Sequence, residues 1–188
     1  MIREKIKSFL KKSLPKLFTL HSSLFVPVIM TALIITGCGY KPVAQYGRDL
    51  LPGPVYVDVR LSGVEPQNGV YLKDEIIRLV KNRFHERVSL NKAEALSQIV
   101  VPSYTIDYSA LTYDNNGYVT RYRVTVEIMF NLITPKEKLN KQISSTEDVS
   151  IQPGSLTSSV ARDAAIRVAI RKAMDQFVAY VAQKGYTK

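Results

Sequence analysis

The clearest candidate for chemistry in this 188-residue chain is Cys38, its only cysteine. Ile35, Thr36 and Gly37 stand directly before it, at the end of an apolar run that begins at Leu24. A signal peptidase accepts an extended backbone with small side chains, so this spacing predicts cleavage next to a thiol. A single thiol cannot form an internal disulfide, and in an exported protein it must therefore serve another purpose.

The residues ahead of the apolar run complete the pattern of an export signal. Six basic side chains and one acidic side chain lie within the first sixteen residues, and such a segment stays on the cytoplasmic side during export. The sequence at 35–38 resembles the lipobox of bacterial lipoproteins, where the thiol receives a diacylglycerol, the chain is cleaved, and the new amino group is acylated. We therefore predict a signal peptide over 1–37 and a lipid of N-acyl and S-diacylglycerol groups on Cys38.

Two further features bear on where the chain resides. The 24 residues between Lys16 and Lys41 carry no charge, and since about 20 residues suffice to cross a bilayer, a retained anchor is the alternative to cleavage. Gly39 follows the cysteine, whereas an Asp there usually holds Gram-negative lipoproteins in the inner membrane. By resemblance to that sorting rule, we predict a lipid-anchored protein of the outer membrane that faces the periplasm.

The charge of the chain falls once the signal is removed. Its formal net charge is +10, of which residues 1–37 contribute 6 − 1 = +5, so the mature part keeps +5. This value suits a surface that meets anionic lipid or phosphate, and it equally suits ordinary solubility. We predict no nucleic-acid partner. A mature chain of this size can bury about two-thirds of its unfolded surface, which predicts one domain.

Residues that could catalyse a reaction are scarce in the mature part. Its one histidine, His85, lies on a charged part of a predicted helix, whereas Ser-His-Asp and Cys-His arrangements need a histidine in a shaped pocket. Clustered metal ligands, a P-loop and a Gly-rich dinucleotide fingerprint are all missing from the sequence. We therefore predict a protein that is not an enzyme, with no metal and no cofactor besides the lipid.

Four basic residues are the candidates for a binding site. Arg121 and Arg123 point the same way from a predicted strand, opposite its apolar face, and Lys136 and Lys138 flank the turn that follows. The arginines could contact anionic lipid or a protein wall, and the lysines, at a projecting basic tip, could contact phosphates. Each pair could also be ordinary solvated charge, on a sheet face in one case and on a hairpin end in the other.

The elements that position these residues follow from hydrophobic periodicity. Glycine and proline recur over residues 38–53 without an apolar period, which predicts a flexible tether. Apolar residues at i, i+4 and i+7 predict two helices, at residues 71–88 and 157–183. Period-two alternation predicts four strands, at residues 55–61, 97–112, 118–132 and 139–151. The order β-α-β-β-β-α predicts an α+β two-layer sandwich, a four-stranded mostly antiparallel sheet with two helices on one face.

Details of the second and third strands add two expectations. Pro102 has no amide hydrogen, which indicates an edge strand or a bulge. The third predicted strand spans roughly 50 Å at about 3.4 Å per residue, so it either bends or projects beyond the helices. The residues Asp114 to Gly117 before it predict a tight turn.

Taken in order, these segments resemble the LptE family of lipopolysaccharide-assembly lipoproteins, over about residues 38–184. The segments that carry the resemblance are Cys38-Gly39-Tyr40-Lys41-Pro42, Val55-Tyr56-Val57-Asp58-Val59, Leu72-Lys73-Asp74, Tyr113 to Val119, Tyr122-Arg123-Val124 and Arg162-Asp163-Ala164-Ala165-Ile166. The resemblance implies an LptE-like domain over 54–188 that sits inside the outer-membrane barrel LptD. It also implies that the domain helps that barrel assemble, partly plugs it and binds lipopolysaccharide without catalysis.

The resemblance does not identify the residues that contact lipopolysaccharide. The family's basic contact residues do not align with this chain, so Arg121, Arg123, Lys136 and Lys138 are hypotheses from charge and position alone. An alternative function shares the same signal and domain: a periplasm-facing lipoprotein that docks or activates a cell-wall synthase or a secretion ring.

Overall fold

The structure is a computed structural model that describes residues 42–63, 65–152 and 157–186. Cys38 and the predicted signal lie outside these residues. The described elements, in chain order, are α1 (Val43–Leu50), β1 (Val55–Val59), α2 (Pro66–Asn82), β2 (Val88–Ser89), a 3₁₀ turn (Lys92–Glu94), β3 (Ser97–Tyr113), β4 (Val119–Ile133), β5 (Lys138–Ser150) and α3 (Thr157–Tyr186).

The strands form one mixed sheet in the order β2-β1-β3-β4-β5. β1 runs parallel to β2 and β3, whereas β3, β4 and β5 form antiparallel ladders. The parallel pair needs a crossover, and α2 lies between β1 and β3 in the chain. The predicted α+β class is confirmed, but the sheet has five strands rather than four. β2 has only two residues, too few to produce a hydrophobic period.

The hydrophobic core lies between one face of the sheet and the helices. Alternate residues of β4, from Val124 to Leu132, are buried, and the residues between them are partly exposed. Leu72, Ile76, Leu79 and Val80 of α2 pack into this core. Phe177 of α3 stacks on Phe130 of β4 with ring centroids 4.3 Å apart. The predicted apolar faces of α2, β4 and α3 are therefore those that the fold buries.

The long β3–β4 hairpin extends past the helices at its tip, which is one of the two alternatives that its length predicted. Every side chain from Asp107 to Tyr113 is exposed. Pro102 lies at a bulge, because the pairing shifts between Val100 and Ser103. The pairing of β3 with β1 ends just before Pro102, because Val101 is the last residue of β3 that pairs with β1. Pro102 therefore sits both at a bulge and where one side of β3 becomes an edge.

The flexible tether predicted over 38–53 was wrong for its described part, which contains α1. Leu50 and Leu51 at the end of this helix are buried in the core. Tyr46 packs edge-on against Tyr186 of α3, with ring centroids 6.0 Å apart. Tertiary contacts of this kind stabilise a helix too short to be stable alone. These contacts produce no hydrophobic periodicity in the local sequence, which is rich in Gly and Pro, and the helix was therefore not predicted.

Element boundaries also differ from the prediction. Helix α2 begins at Pro66, where a proline is tolerated because its missing N–H needs no helical partner. β1 ends at Val59, and Leu61 is 53% exposed rather than part of the strand. The last helix was predicted to end at residue 183, yet α3 continues to Tyr186. A Cβ at Gly185 would lie 2.5 Å from the Tyr46 carbonyl oxygen, so glycine is needed there for close packing.

Candidate functional site: the open face of the sheet

The face of β3, β4 and β5 that points away from the core is the candidate site, called the open face below. It is set by strand alternation, because every second residue of a strand points away from the buried side. Over its central part its side chains are hydroxyls, amides and charges with one Met: Ser103, Thr105, Asp107, Ser109, Arg121, Arg123, Thr125, Glu127, Met129, Asn131, Asn140, Gln142, Ser144, Thr146 and Asp148. Val100 and Ile133 lie on the same face toward one end. Near the middle of the face, Gln142 Nε2 of β5 donates across the strands to Glu127 Oε2 of β4 at 3.1 Å.

Arg121 and Arg123 lie at one end of the open face and share Asp148. Arg123 donates from Nε and Nη2 to the two carboxylate oxygens at 2.8 and 3.1 Å, and Arg121 Nη2 donates at 3.2 Å. The hydrogen bonds from Arg123 hold the pKa of Asp148 below its usual range. The same bonds raise the pKa of Arg123. Two cations and one anion leave this end of the face with a net positive charge.

Lys136 and Lys138 lie at the other end, on the β4–β5 hairpin. The turn between the strands is held by Thr134, whose Oγ1 accepts from the Glu137 and Lys136 amides at 3.1 and 3.3 Å. Lys136 and Lys138 are exposed, and neither ammonium group has an ion pair within the described part of the chain. The hairpin therefore presents two cations, on either side of Glu137, that have no ion pair among the described residues.

The structure brings the four candidates together in pairs but keeps the pairs apart. Arg123 is opposite Asp148, and ten residues further along β4, Ile133 is opposite Lys138. Ten residues of strand span roughly 34 Å. The arginines and the lysines are thus two separate basic positions on one sheet.

Sequence reasoning missed two acidic partners in β5. Asp148 binds the arginine pair, and the neighbouring Glu147, on the covered side, bonds to Lys172 of α3. A signal for Asp148 was present in the chain. With the turn at Thr134 to Glu137, antiparallel register pairs residues whose numbers sum to 271, which places 123 opposite 148.

A second basic region lies on the helix layer. A groove of about 300 Å³ between α2 and α3 is lined by three arginines, two acids and apolar side chains. Arg78 pairs with Glu75 at 3.1 Å and Arg83 with Asp175 at 3.7 Å. Since these pairs neutralise two of the three arginines, the groove carries one excess positive charge, from Arg171.

The described residues offer little for catalysis or metal binding. They contain no group of three or more His, Cys, Asp or Glu side chains placed to hold a metal ion. His85 is exposed in the loop after α2, with a φ of 54°. None of the helices within 42–63, 65–152 and 157–186 has the length and apolar content of a membrane span.

Comparison with known proteins adds a family and two likenesses in fold. The family described as "LptE: Lipopolysaccharide-assembly" matches residues 56–181. The rare lipoprotein B of Shewanella oneidensis is 16% identical, with a TM-score of 0.51 over 70% of this chain and 97% of its own. An uncharacterized lipoprotein B of Nitrosomonas europaea is 12% identical, with a TM-score of 0.51 over 77% and 94%. No curated protein sequence matches the chain. At these identities the two structures show the fold alone.

Proposed function

Because the chain belongs to the LptE family of lipopolysaccharide-assembly proteins, we propose that it binds inside an LptD-like outer-membrane β-barrel. There it helps the barrel assemble, partly plugs its lumen and binds lipopolysaccharide. An acylated Cys38 anchors it in the outer membrane, on the periplasmic side. In this role it acts by binding and positioning, without catalysis.

The observation that supports the plug function is the polarity of the open face. The lumen of a large outer-membrane barrel is polar, so a protein inside it needs a polar surface. β3, β4 and β5 present hydroxyl, amide and charged side chains on one face while the opposite face is buried by helices. The sheet therefore meets a polar wall without exposing its core.

The basic positions support the lipopolysaccharide function. Lipopolysaccharide carries phosphates, which accept charge-assisted hydrogen bonds from arginine and lysine. We assign the first contact to Lys136 and Lys138, because no acid within the described residues neutralises their ammonium groups. Arg121 and Arg123 form a second contact, weakened by their bonds to Asp148.

Co-expression with the LptD-like barrel of the same genome tests the plug function. We expect a stable one-to-one complex that survives purification in detergent, together with loss of folded barrel when this chain is withheld. A matched variant, Thr125→Glu with Thr146→Glu, places charge at the centre of the open face and should reduce the yield of complex. The function is wrong if the chain purifies alone while the barrel folds without it.

A further inference from the structure

The outer edge of β3 from Asp107 to Tyr113, called the free edge below, has no neighbouring strand among the described residues. β1 pairs with β3 only from Ser97 to Val101, and β4 occupies the other side of β3 along its whole length. All side chains of the free edge are exposed on both faces of the hairpin. Backbone N–H and C=O groups on this side are therefore open to a partner strand.

The other edges of the sheet are protected, which makes the free edge distinctive. β2 is only two residues long. β5 carries Lys138 and Lys141, and its Thr146 carbonyl accepts a hydrogen bond from Lys172 Nζ at 3.1 Å. Short strands and lysines are the usual means by which proteins prevent pairing at an edge. The free edge contains neither lysine nor proline, but its register with β4 shifts between Ala110 and Tyr113.

The hairpin that carries the free edge is held in shape by its own turn. Asp114 Oδ1 accepts from the Asn116 and Tyr118 amides, each at 2.9 Å. Gly117 adopts a φ of 81°, which glycine reaches without strain. A preorganised edge loses little conformational entropy when a partner binds.

Large apolar side chains flank the free edge. Tyr108, Leu111, Tyr113 and Tyr118 are 40%, 37%, 60% and 61% exposed. Tyrosine supplies a large contact area together with a polar end, and it is common at interfaces for that reason. When an extended segment adds to a sheet edge, backbone bonds give affinity and flanking side chains contact every second residue.

From these observations we propose that the free edge receives an extended segment of the barrel partner as an added β-strand. The segment brings apolar residues against Tyr108, Leu111 and Tyr113, whose spacing along β3 is interrupted by register shifts between Ala110 and Tyr113. The inference rests on the proposed function, since the barrel supplies the segment. It adds to that function a specific backbone contact at the tip of the hairpin, made by the edge of β3 rather than by the side chains of the open face.

Hydrogen exchange at single-residue resolution tests the added strand, using the full chain alone and in the complex with the barrel. We expect those amides between Asp107 and Tyr113 that point away from β4 to exchange at least tenfold more slowly in the complex. The exposed 3₁₀ turn, Lys92–Glu94, serves as the control segment. A stable complex with unchanged exchange in the free edge overturns this inference and leaves the plug function intact. Failure to form any complex overturns both.

A pair of lysine variants provides a second measurement. Ala110→Lys puts a charge on the free edge but not on the open face, whereas Ala93→Lys puts the same charge on the exposed 3₁₀ turn Lys92–Glu94. We expect Ala110→Lys to weaken binding to the barrel by at least tenfold and Ala93→Lys to change it less than threefold. Equal effects of the two variants overturn the added strand.

Discussion

Arg123 and Asp148 face each other on adjacent antiparallel strands and are joined by two parallel hydrogen bonds of 2.8 and 3.1 Å. The planar guanidinium matches both carboxylate oxygens, so the pair fixes the positions of both side chains. The side chain of Arg123 is therefore already oriented before any ligand binds.

The pKa of Asp148 gives the first prediction. Because hydrogen bonding from Arg123 lowers this pKa, the contact stabilises the fold above the ordinary aspartate pKa of about 3.9. That stabilisation is lost as the pH falls through the lower, folded-state pKa. We expect an NMR titration to place the Asp148 midpoint below the ordinary value and Arg123→Gln to raise it. Lys172→Gln should raise it less, and equal shifts in the two variants would refute the assignment.

The close packing at Gly185 gives a second prediction. Gly185→Val pushes a side chain against the Tyr46 carbonyl, and overpacking of this kind costs about 1–3 kcal/mol. Urea denaturation should show that loss, with faster proteolysis within α1. A Cβ at Gly63 meets nothing within 4 Å, so Gly63→Val is the control and should leave both measurements unchanged.

Aromatic stacking in the core gives a third prediction. Phe130 and Phe177 are fully buried and stacked, and Phe130→Ala should cost about 3–5 kcal/mol in the free energy of unfolding. Tyr113→Ala removes a ring that is 60% exposed and should change that free energy by less than about 0.5 kcal/mol. A small loss for Phe130→Ala would mean that the core packs differently.

The hairpin lysines give a fourth prediction, on lipopolysaccharide affinity. Replacing both Lys136 and Lys138 with Glu should weaken binding of purified lipopolysaccharide more than tenfold and reduce its dependence on salt. Lys81 and Lys92 are also exposed but lie in the last turn of α2 and in the 3₁₀ turn, outside the β4–β5 hairpin, so replacing both with Glu makes the same change in total charge and serves as the control. Affinity that falls equally in both variants would show attraction by net charge rather than a site.

Acylation gives a fifth prediction. Cys38→Ala removes the only thiol in the chain and should abolish labelling with radioactive palmitate and release the protein from the outer-membrane fraction. The circular dichroism spectrum should stay the same, because no described core residue depends on that thiol. Palmitate incorporation into the alanine variant would exclude Cys38 as the acceptor.

Local sequence patterns predicted those elements whose stabilising features lie within a single segment of the chain. β4 alternates over its length, and the Asp114 to Gly117 turn contains its own hydrogen-bond acceptor. The elements that were missed depend on distant partners. α1 is stabilised by contacts with α3, and two-residue β2 by pairing with β1. No window of neighbouring residues contains either contact.

The candidate site was predicted in a similar way. Strand alternation correctly placed Arg121 and Arg123 on the face opposite the core. Their neutralisation by Asp148 required the register of two strands, and the distance from the arginines to Lys136 required the full hairpin. The free edge of β3 could not be predicted, because a strand becomes an edge only when the length of its neighbour is known.

The docking of α1 has a mechanical consequence. Leu50 and Leu51 bury the end of this helix in the core. A force applied to the backbone ahead of Val43 is therefore transmitted through α1 to the folded domain. Pulling on the N-terminal side would load the packed interior directly. Single-molecule extension from that side should therefore show a first rupture at α1 before the sheet yields.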